Sequence, residues 1–283
     1  MMLRYELLTA FKSRRVLIFF LFFICITSFD LYQNYTYNFG RYLEGIVAAK
    51  PTGKDLFHPC FASFVSASHI GRLPQILMTW VFPLYPLFAY ADSFVIQKQC
   101  GYYNVLLTKM DRKSVVSSRL ATAFLIPFIV VMIALVLNFA VANIVFKGGT
   151  SFAVLEEALR RGDVEGLSAL ALLHPYSTYI IHILVFSLVI GLYGMFCAAV
   201  TFFVPKYIVL YPVIFFVWIS MMNLPYMIFS VMHSFTTYNV REMIISSIYY
   251  TLLVLLTTVA AYIYKVRYDE LHLHIFSASS HST

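Results

Sequence analysis

Residues 97–119, QKQCGYYNVLLTKMDRKSVVSSR, separate two long apolar stretches of the chain. The segment holds a single acid, Asp111, and its basic residues are Lys98, Lys109, Arg112, Lys113 and Arg119. A compact apolar cluster lies between the charged ends and consists of Tyr102, Tyr103, Val105, Leu106 and Leu107. A basic connection that also presents an apolar face predicts a docking element on the cytoplasmic side of a membrane, rather than a simple spacer.

The composition around this segment is that of a membrane protein. The chain has 283 residues, of which 61% are hydrophobic and 12% are charged, and its mean hydropathy is +0.80. A soluble domain carries about 25% charged residues, so the composition predicts an integral membrane protein. The net charge of +7 is typical of proteins that collect Lys and Arg on cytoplasmic loops. We therefore expect the lipid bilayer, and not a nucleic acid, as the partner of these charges.

Apolar stretches predict an all-α, polytopic fold with six transmembrane helices in a single domain, residues 16–268. The spans are expected at about 16–32, 74–91, 120–146, 176–204, 207–222 and 242–264, with outer loops at 33–73, 147–175 and 223–241. Six spans place both termini on one side, and basic residues next to the span ends favour the cytoplasm for that side. The chain is thus expected in a bacterial plasma membrane, with residues 269–283 as a cytoplasmic tail.

The first fifteen residues have the pattern of an amphipathic helix lying in the membrane interface. Apolar residues share one face, and basic residues supply charge; they are Leu3, Leu7, Leu8 and Phe11, and Arg4, Lys12, Arg14 and Arg15. A plain cytoplasmic segment is the alternative interpretation.

Three features of the spans predict local structure. Pro83 and Pro86 remove backbone donors inside the second span and predict a kink or local unwinding. Gly191 and Gly194 predict close helix approach in the fourth span. Asp92, at the inner boundary of the second span, is a candidate inner-gate or coupling residue, because acids near membrane depth are often functional.

The residues that commonly carry catalysis or bind metals are scattered. The cysteines are Cys25, Cys60, Cys100 and Cys197, without CxxC or Cys/His metal spacing, so neither a disulfide nor a metal site is predicted. The first outer loop holds Asp55, His58, Cys60 and His69, which we interpret as loop residues. We expect the chain not to be an enzyme by itself. Substrate-binding residues are not identifiable from the sequence.

The 97–119 segment and its approach resemble the inner loop of ABC-2 type transporter permeases. The matching residues are Ala91-Asp92, Gly101, Leu106-Leu107, Arg112 and Arg119. Two positions depart from the family: its glutamate is Gln97 here, and its usual proline after the leucine pair is Met110. An amphipathic N-terminal helix, six spans and a basic exit after the sixth are similar to the family at lower resolution.

The resemblance implies that this segment couples the permease to a separate ATPase. Next to Gly101, an apolar knob of Tyr102, Tyr103, Leu106 and Leu107 would insert into a cleft on the ATPase. Lys109, Arg112 and Lys113 would pair with surrounding acids or with lipid headgroups. The alternative is a solvated basic loop that has no partner.

The chain contains no GxxxxGK[ST] sequence, so ATP and Mg²⁺ would be bound by the partner. The resemblance implies two ATPase subunits and a second permease half, identical or related. It also implies an exporter, and the scarcity of charge in the spans favours an amphipathic or hydrophobic cargo. A peptide such as a bacteriocin is favoured, and its export would confer immunity.

Two other function classes remain open at the level of sequence. One is a membrane-embedded enzyme that acts on lipids or glycans in the outer loops. The other is an ATP-independent channel or sensor. Copurification of an ATPase separates the exporter from both.

Overall fold

The computed structural model describes residues 2–46, 49–66, 72–152, 155, 171–204, 206–223, 228–235 and 240–268. Helices form most of this part of the chain. They are α1 (Met2–Phe11), α2 (Arg14–Leu43), α3 (Pro59–Ala62), α4 (Leu73–Val81), α5 (Leu84–Pro86), α6 (Ser93–Gln99), α7 (Tyr102–Lys109), α8 (Arg112–Val145), α9 (Pro175–Phe203), α10 (Tyr207–Met222), α11 (Phe229–Met232) and α12 (Val240–Ile263). Two π-helical segments, Leu87–Ala91 and Tyr264–Tyr268, complete the helical part.

Four helical stretches are long and apolar enough to cross a membrane. They are α2 with 30 residues, α8 with 34, α9 with 29, and α12 with its continuation to Arg267, which together have 28. A span needs only about 20 apolar residues. The predicted helical architecture is therefore confirmed for these four stretches, each of which could span a membrane. The shorter apolar helix α10 has 16 residues.

The predicted second span is a broken helix rather than a continuous one. The expected range 74–91 is divided among α4, α5 and the π-helical segment Leu87–Ala91, and α6 follows beyond its end. Pro83 precedes α5 and Pro86 ends it, and each lacks the N–H that an uninterrupted helix requires. The predicted local unwinding is thus confirmed.

Close packing of α9 on α8 covers this broken segment. A Cβ atom on Gly194 would lie 2.3 Å from the carbonyl oxygen of Ala123 and 3.3 Å from Pro86. A Cβ on Gly191 would lie 3.0 Å from Phe124. At Gly194 only glycine permits this approach, and at Gly191 a Cβ would be a tight fit, so the predicted close approach of helices is present at both positions.

Several predicted boundaries need correction. Helix α2 continues to Leu43, so the first eleven residues of the expected outer loop 33–73 are helical; buried Asn34 there donates to the Ala62 carbonyl at 2.8 Å. Helix α8 begins at Arg112, eight residues before the expected third span. The segment 97–119 is consequently the end of α6, the whole of α7 and the start of α8, not a loop.

A small sheet adds to the expected all-α class. Strand β1 (Gly53–Phe57) pairs in parallel with β2 (Gly149–Ser151), with Gly53 opposite Gly149. A Cβ on Gly149 would lie 2.0 Å from the carbonyl oxygen of Phe57, so the pairing requires glycine there. We call this side of the bundle the strand end. The opposite side, which holds α1, α7 and the starts of α2 and α8, is the basic end.

At the strand end, residues 59–66 form a buried segment that is helical only over α3. Neighbouring side chains satisfy its backbone. The amide of Phe64 donates to Oδ1 of Asn138 at 3.1 Å, and the amide of Val65 donates to the hydroxyl of Tyr179 at 3.3 Å. Gln75 donates to the carbonyl of Phe64 at 2.5 Å. Irregular backbone inside a membrane protein requires such partners.

Among the residues predicted to be simple loop residues, His58 and Cys60 have packing roles, whereas Asp55 is exposed in β1. His58 caps α3, since its Nδ1 accepts from the Cys60 amide at 3.2 Å, and its ring stacks on Phe152 at 4.7 Å. Cys60 is fully buried. His69 and the tail 269–283 lie outside the described residues.

Candidate functional site

Helix α7 owes its position to the residues that flank it. Gly101 precedes it with φ +74°, in the left-handed region that other residues reach only at a cost of about 1 kcal/mol or more. Met110 then returns to an extended conformation, and so does Asp111 at φ −61°, ψ 132°, which directly precedes α8. Two sharp changes of direction therefore set a short helix apart from both α6 and α8.

The apolar residues of α7 divide between two faces. Tyr103 and Leu106 are 4% and 9% exposed and point into the protein. The ring of Tyr103 meets that of Phe94 edge-on at 5.1 Å. Leu107 is half-buried against the same core. Only Tyr102, of the four residues predicted to form the knob, has an exposed side chain.

The outward stripe of α7 consists of Tyr102, Val105 and Lys109, spaced as neighbours on a helix. Val105, which is not among the four residues predicted to form the knob, is 53% exposed, and Tyr102 is 38% exposed. Lys109 and Lys113 are exposed and Arg112 is half-buried. We call Tyr102, Val105 and Lys109 the α7 stripe. Positions 102, 105 and 109 lie on the outward face of the helix, and positions 103, 106 and 110 lie on the inward face. This helical spacing is the sequence signal that distinguishes the two faces.

Helix α1 lies against this region and presents apolar residues outward. Met2, Glu6 and Ala10 are buried, and α1 packs on α8. Leu3, Leu8 and Phe11 are exposed, whereas Leu7, which was predicted to share their face, is partly buried against the core. A hydrogen bond with Tyr5 raises the pKa of Tyr102, so α1 also meets the α7 stripe.

Arg119 is the centre of a buried charge network behind α7. Its side chain is 2% exposed. It donates through Nη2 to Oε1 of Gln97, and Nη2 lies 3.9 Å from Oε1 of Glu6. Glu6 in turn accepts a hydrogen bond from the hydroxyl of Tyr90. One guanidinium thus joins α1, α6, α8 and the π-helical part of the broken span.

Two aromatic rings complete the network. The guanidinium carbon of Arg119 lies 5.3 Å from the ring centre of Phe94 and 5.5 Å from that of Tyr103. The ammonium nitrogen of Lys265, also buried, lies 5.4 Å and 5.5 Å from the same two rings. Aromatic faces attract cations at these distances. Tyr103 therefore connects α7 to α8 and to the end of the last long helix.

A second ion pair lies nearby at Asp92, the predicted inner-gate residue. Nη1 of Arg15 donates to Oδ1 at 2.9 Å and to Oδ2 at 3.2 Å. The hydroxyl of Tyr211 donates to Oδ2 at 3.2 Å. The side chain of Arg15 is 40% exposed and that of Asp92 is 5% exposed. Asp92 thus links the broken span to α2 and α10.

A cavity of about 270 Å³ separates the two ion pairs, and Glu6, Arg15, Asp92 and Gln97 contribute to its wall. The sequence predicted Asp92 but missed Glu6, which alternates with apolar residues on a helix expected to lie on the membrane. Among the described residues, no group of three or more His, Cys, Asp or Glu side chains is placed to hold a metal ion.

The chain is similar to a protein of Bacillus subtilis (strain 168). "Uncharacterized protein YybM" of Bacillus subtilis (strain 168) is 25% identical over 216 residues, which cover 76% of this chain and 84% of that protein. No protein-family model matches the chain. No solved structure matches it either. The name of the relative states no activity, so the function is proposed from the geometry.

Proposed function

We propose that the chain is the membrane-spanning permease subunit of an ABC exporter, with the six-span fold of ABC-2 type permeases. Four spans are the long helices, and the second and fifth are the broken segment α4–α6 and α10. At 1.5 Å per residue, α10 is about 24 Å long, which suffices where a thinner or covered part of the bilayer surrounds it. ATP and Mg²⁺ belong to a separate ATPase that docks on α7.

The observation that carries the proposal is the two-faced construction of α7. Its inward residues Tyr103 and Leu106 fix it to the bundle, while the α7 stripe leaves Tyr102 and Val105 exposed beside Lys109. Exposed aromatic and aliphatic side chains with a basic rim are typical of a protein contact. A solvated loop would need neither the apolar stripe nor the anchoring.

The buried network gives the docking helix a mechanical function. A rotation of α7 moves Tyr103, and Tyr103 packs against both Arg119 and Lys265. Arg119 contacts Glu6 and Gln97. A displacement imposed by an ATPase would therefore reach α1, α6, α8 and the π-helical continuation of α12 through one cluster of side chains.

Gln97 stands where the family has glutamate, and its oxygen is engaged inside the chain by Arg119. The acid that approaches this guanidinium is Glu6, from α1. We infer that Glu6 supplies the negative charge that position 97 lacks. The docking contact then depends on the α7 stripe and its basic neighbours rather than on an acid at position 97.

The charge distribution supports a cytoplasmic basic end. Exposed cations there include Arg4, Lys12, Arg14, Lys98, Lys109, Lys113, Lys206 and Arg267, and the described acids there are Glu6, Asp92 and Asp111. Lys and Arg next to span ends favour the cytoplasm. This orientation puts α7 on the side where ATP is available, in a bacterial plasma membrane.

The proposed transporter contains a second permease half, identical or related, and two ATPase subunits. Most of the buried charges in the described residues lie at the basic end, and Asp30 in α2 is the exception. A path through the rest of the bundle would suit an amphipathic or hydrophobic cargo. A peptide is the favoured class, and its export would protect the cell that produces or meets it.

Copurification from the native host tests the proposal. The tagged chain is extracted in mild detergent and its partners are identified by mass spectrometry, for the natural chain and for Val105→Asp. We expect a P-loop ATPase at about one per permease, and its loss from Val105→Asp. Asn104→Asp is the matched control, because it adds the same charge to an exposed position of α7 outside the stripe.

The result separates docking from folding. Leu106→Asp buries a charge and should reduce the amount of protein in the membrane, whereas Val105→Asp should not. An ATPase that is retained equally by Val105→Asp and Asn104→Asp would remove the stripe as its docking surface. A crosslinked preparation without any ATPase would favour the membrane enzyme or the channel instead.

A further inference from the structure

An apolar groove of about 300 Å³ lies between α2, the broken span and α10. Ile18 and Phe22 form one wall, Leu84 and Phe88 the other, and Tyr211 closes it. Ile18 is 53% exposed, Phe22 44% and Phe88 37%. The groove therefore opens to the outside of the bundle, between apolar side chains.

The end of the groove nearest the basic end is polar and positively charged. Phe88 lies in the wall, and its ring centre is 5.9 Å from the guanidinium carbon of Arg15. Lys12 and Arg14 are exposed in the short connection at which α1 meets α2, next to Arg15 in the sequence. The connection also holds the N-terminus of α2, a 30-residue helix capped by Ser13, where the helix dipole adds positive potential.

We propose that this groove binds a phospholipid with an anionic headgroup. One acyl chain lies between α2 and the broken span, and the phosphate lies at Arg15, next to Arg14 and Lys12. This inference is independent of the ATPase and of the transport cycle.

The chemistry of the groove selects an acyl chain over a polar ligand. The hydroxyl of Tyr211 is engaged by Asp92, and that of Tyr85, which also lines the groove, donates to the Leu77 carbonyl at 3.3 Å. The wall therefore offers methyl groups and aromatic rings, which match a hydrocarbon chain.

The charges select an anionic headgroup. The described hydrogen bonds of the Arg15 side chain use only Nη1, so the rest of its half-exposed guanidinium faces outward. A guanidinium binds phosphate oxygens with good geometry. Because Asp92 neutralises part of Arg15, the net attraction comes mainly from Lys12 and Arg14. Basic residues at a membrane surface favour anionic lipids in this way.

Native mass spectrometry of the purified full chain tests the proposal. Phosphatidylglycerol and phosphatidylcholine with identical acyl chains are titrated separately. From the charges we expect phosphatidylglycerol to bind about tenfold more tightly. Ile18→Trp fills the mouth of the groove and should abolish this preference. Leu17→Trp is the matched control, because Leu17 is 55% exposed, close to the 53% of Ile18, but does not line the groove.

The headgroup contacts are tested separately. Lys12→Gln with Arg14→Gln should reduce the preference for phosphatidylglycerol, whereas Lys109→Gln with Lys113→Gln, an equal loss of charge on another exposed segment, should not. Equal binding of both lipids to the natural chain would overturn the proposal. Equal lipid binding by Ile18→Trp and Leu17→Trp, or equal effects of the two charge-removing pairs, would also overturn it.

Discussion

The two ends of the bundle bury polar side chains for different purposes. At the strand end, Asn138, Tyr179 and Gln75 bond to the backbone of the buried segment 59–66. At the basic end, Arg119 and Glu6 contact other side chains on separate helices. The first arrangement satisfies a backbone, and the second connects helices.

This difference indicates which end of the bundle keeps a fixed geometry and which end can move. Neutral hydrogen bonds to a buried backbone hold one local geometry, because each lost bond leaves an unsatisfied group. Charged side chains on separate helices carry a displacement of one helix to the others without fixing their backbones. We therefore interpret the strand end as the fixed part and the basic end as the part that receives movement from α7.

The largest effect is expected from Arg119→Leu, which removes the centre of the network. It leaves Glu6 buried and without its cation, and breaking a buried pair in this way costs about 3–5 kcal/mol. The measurement is the free energy of unfolding in detergent. The double variant Glu6→Leu with Arg119→Leu should recover most of the loss. An equal loss in the single and double variants would contradict the pairing.

The second effect concerns the strand end. Asn138 accepts from the amide of Phe64 and donates to the carbonyl of Thr27 at 3.0 Å. Asn138→Leu leaves the buried amide of Phe64 unsatisfied and removes the bond that Asn138 adds to the Thr27 carbonyl inside α2, at about 1–3 kcal/mol. Asn143→Leu, in the same helix, is the control, because Asn143 bonds only the Phe139 carbonyl of its own helix. Similar unfolding free energies for both variants would show that the segment needs no such support.

The smallest effect is expected from Arg15→Gln. Arg15 is 40% exposed, and ion pairs with such exposure contribute about 1 kcal/mol or less. At 1 M salt the Debye length is about 3 Å, so salt screens this ion pair. The difference in unfolding free energy between Arg15→Gln and the natural chain should therefore shrink as the salt concentration rises. A loss as large as that of Arg119→Leu would remove the distinction between the two pairs.

Much of the fold was accessible from the sequence. Four apolar runs became long helices, the prolines at 83 and 86 broke the second run, and Gly194 allowed close packing. The strand pairing of Gly53 with Gly149 was not predictable. It joins short segments that lie before the broken helix and after α8 in the chain, and neither segment has a pattern that specifies the other.

The candidate site was predicted in position but not in detail. The sequence located the segment 97–119, yet it assigned Tyr103 and Leu106 to the docking face, and both point inward. A helical wheel places Tyr103 and Leu106 on a different face from Tyr102 and Val105. It can be applied only once the segment after Gly101 is known to be a helix. Glu6 was missed because its partner Arg119 lies more than a hundred residues away, and only the fold brings them together.

The most direct test of the docking account is site-specific photocrosslinking in the native host. A photoreactive phenylalanine analogue is placed at Val105 and, in a second strain, at Asn104, and the adducts are identified by mass spectrometry. We predict an adduct with a P-loop ATPase from position 105, and little or none from position 104. The absence of an ATPase adduct at position 105, together with lipid adducts there, would contradict the assignment of α7 as the docking helix.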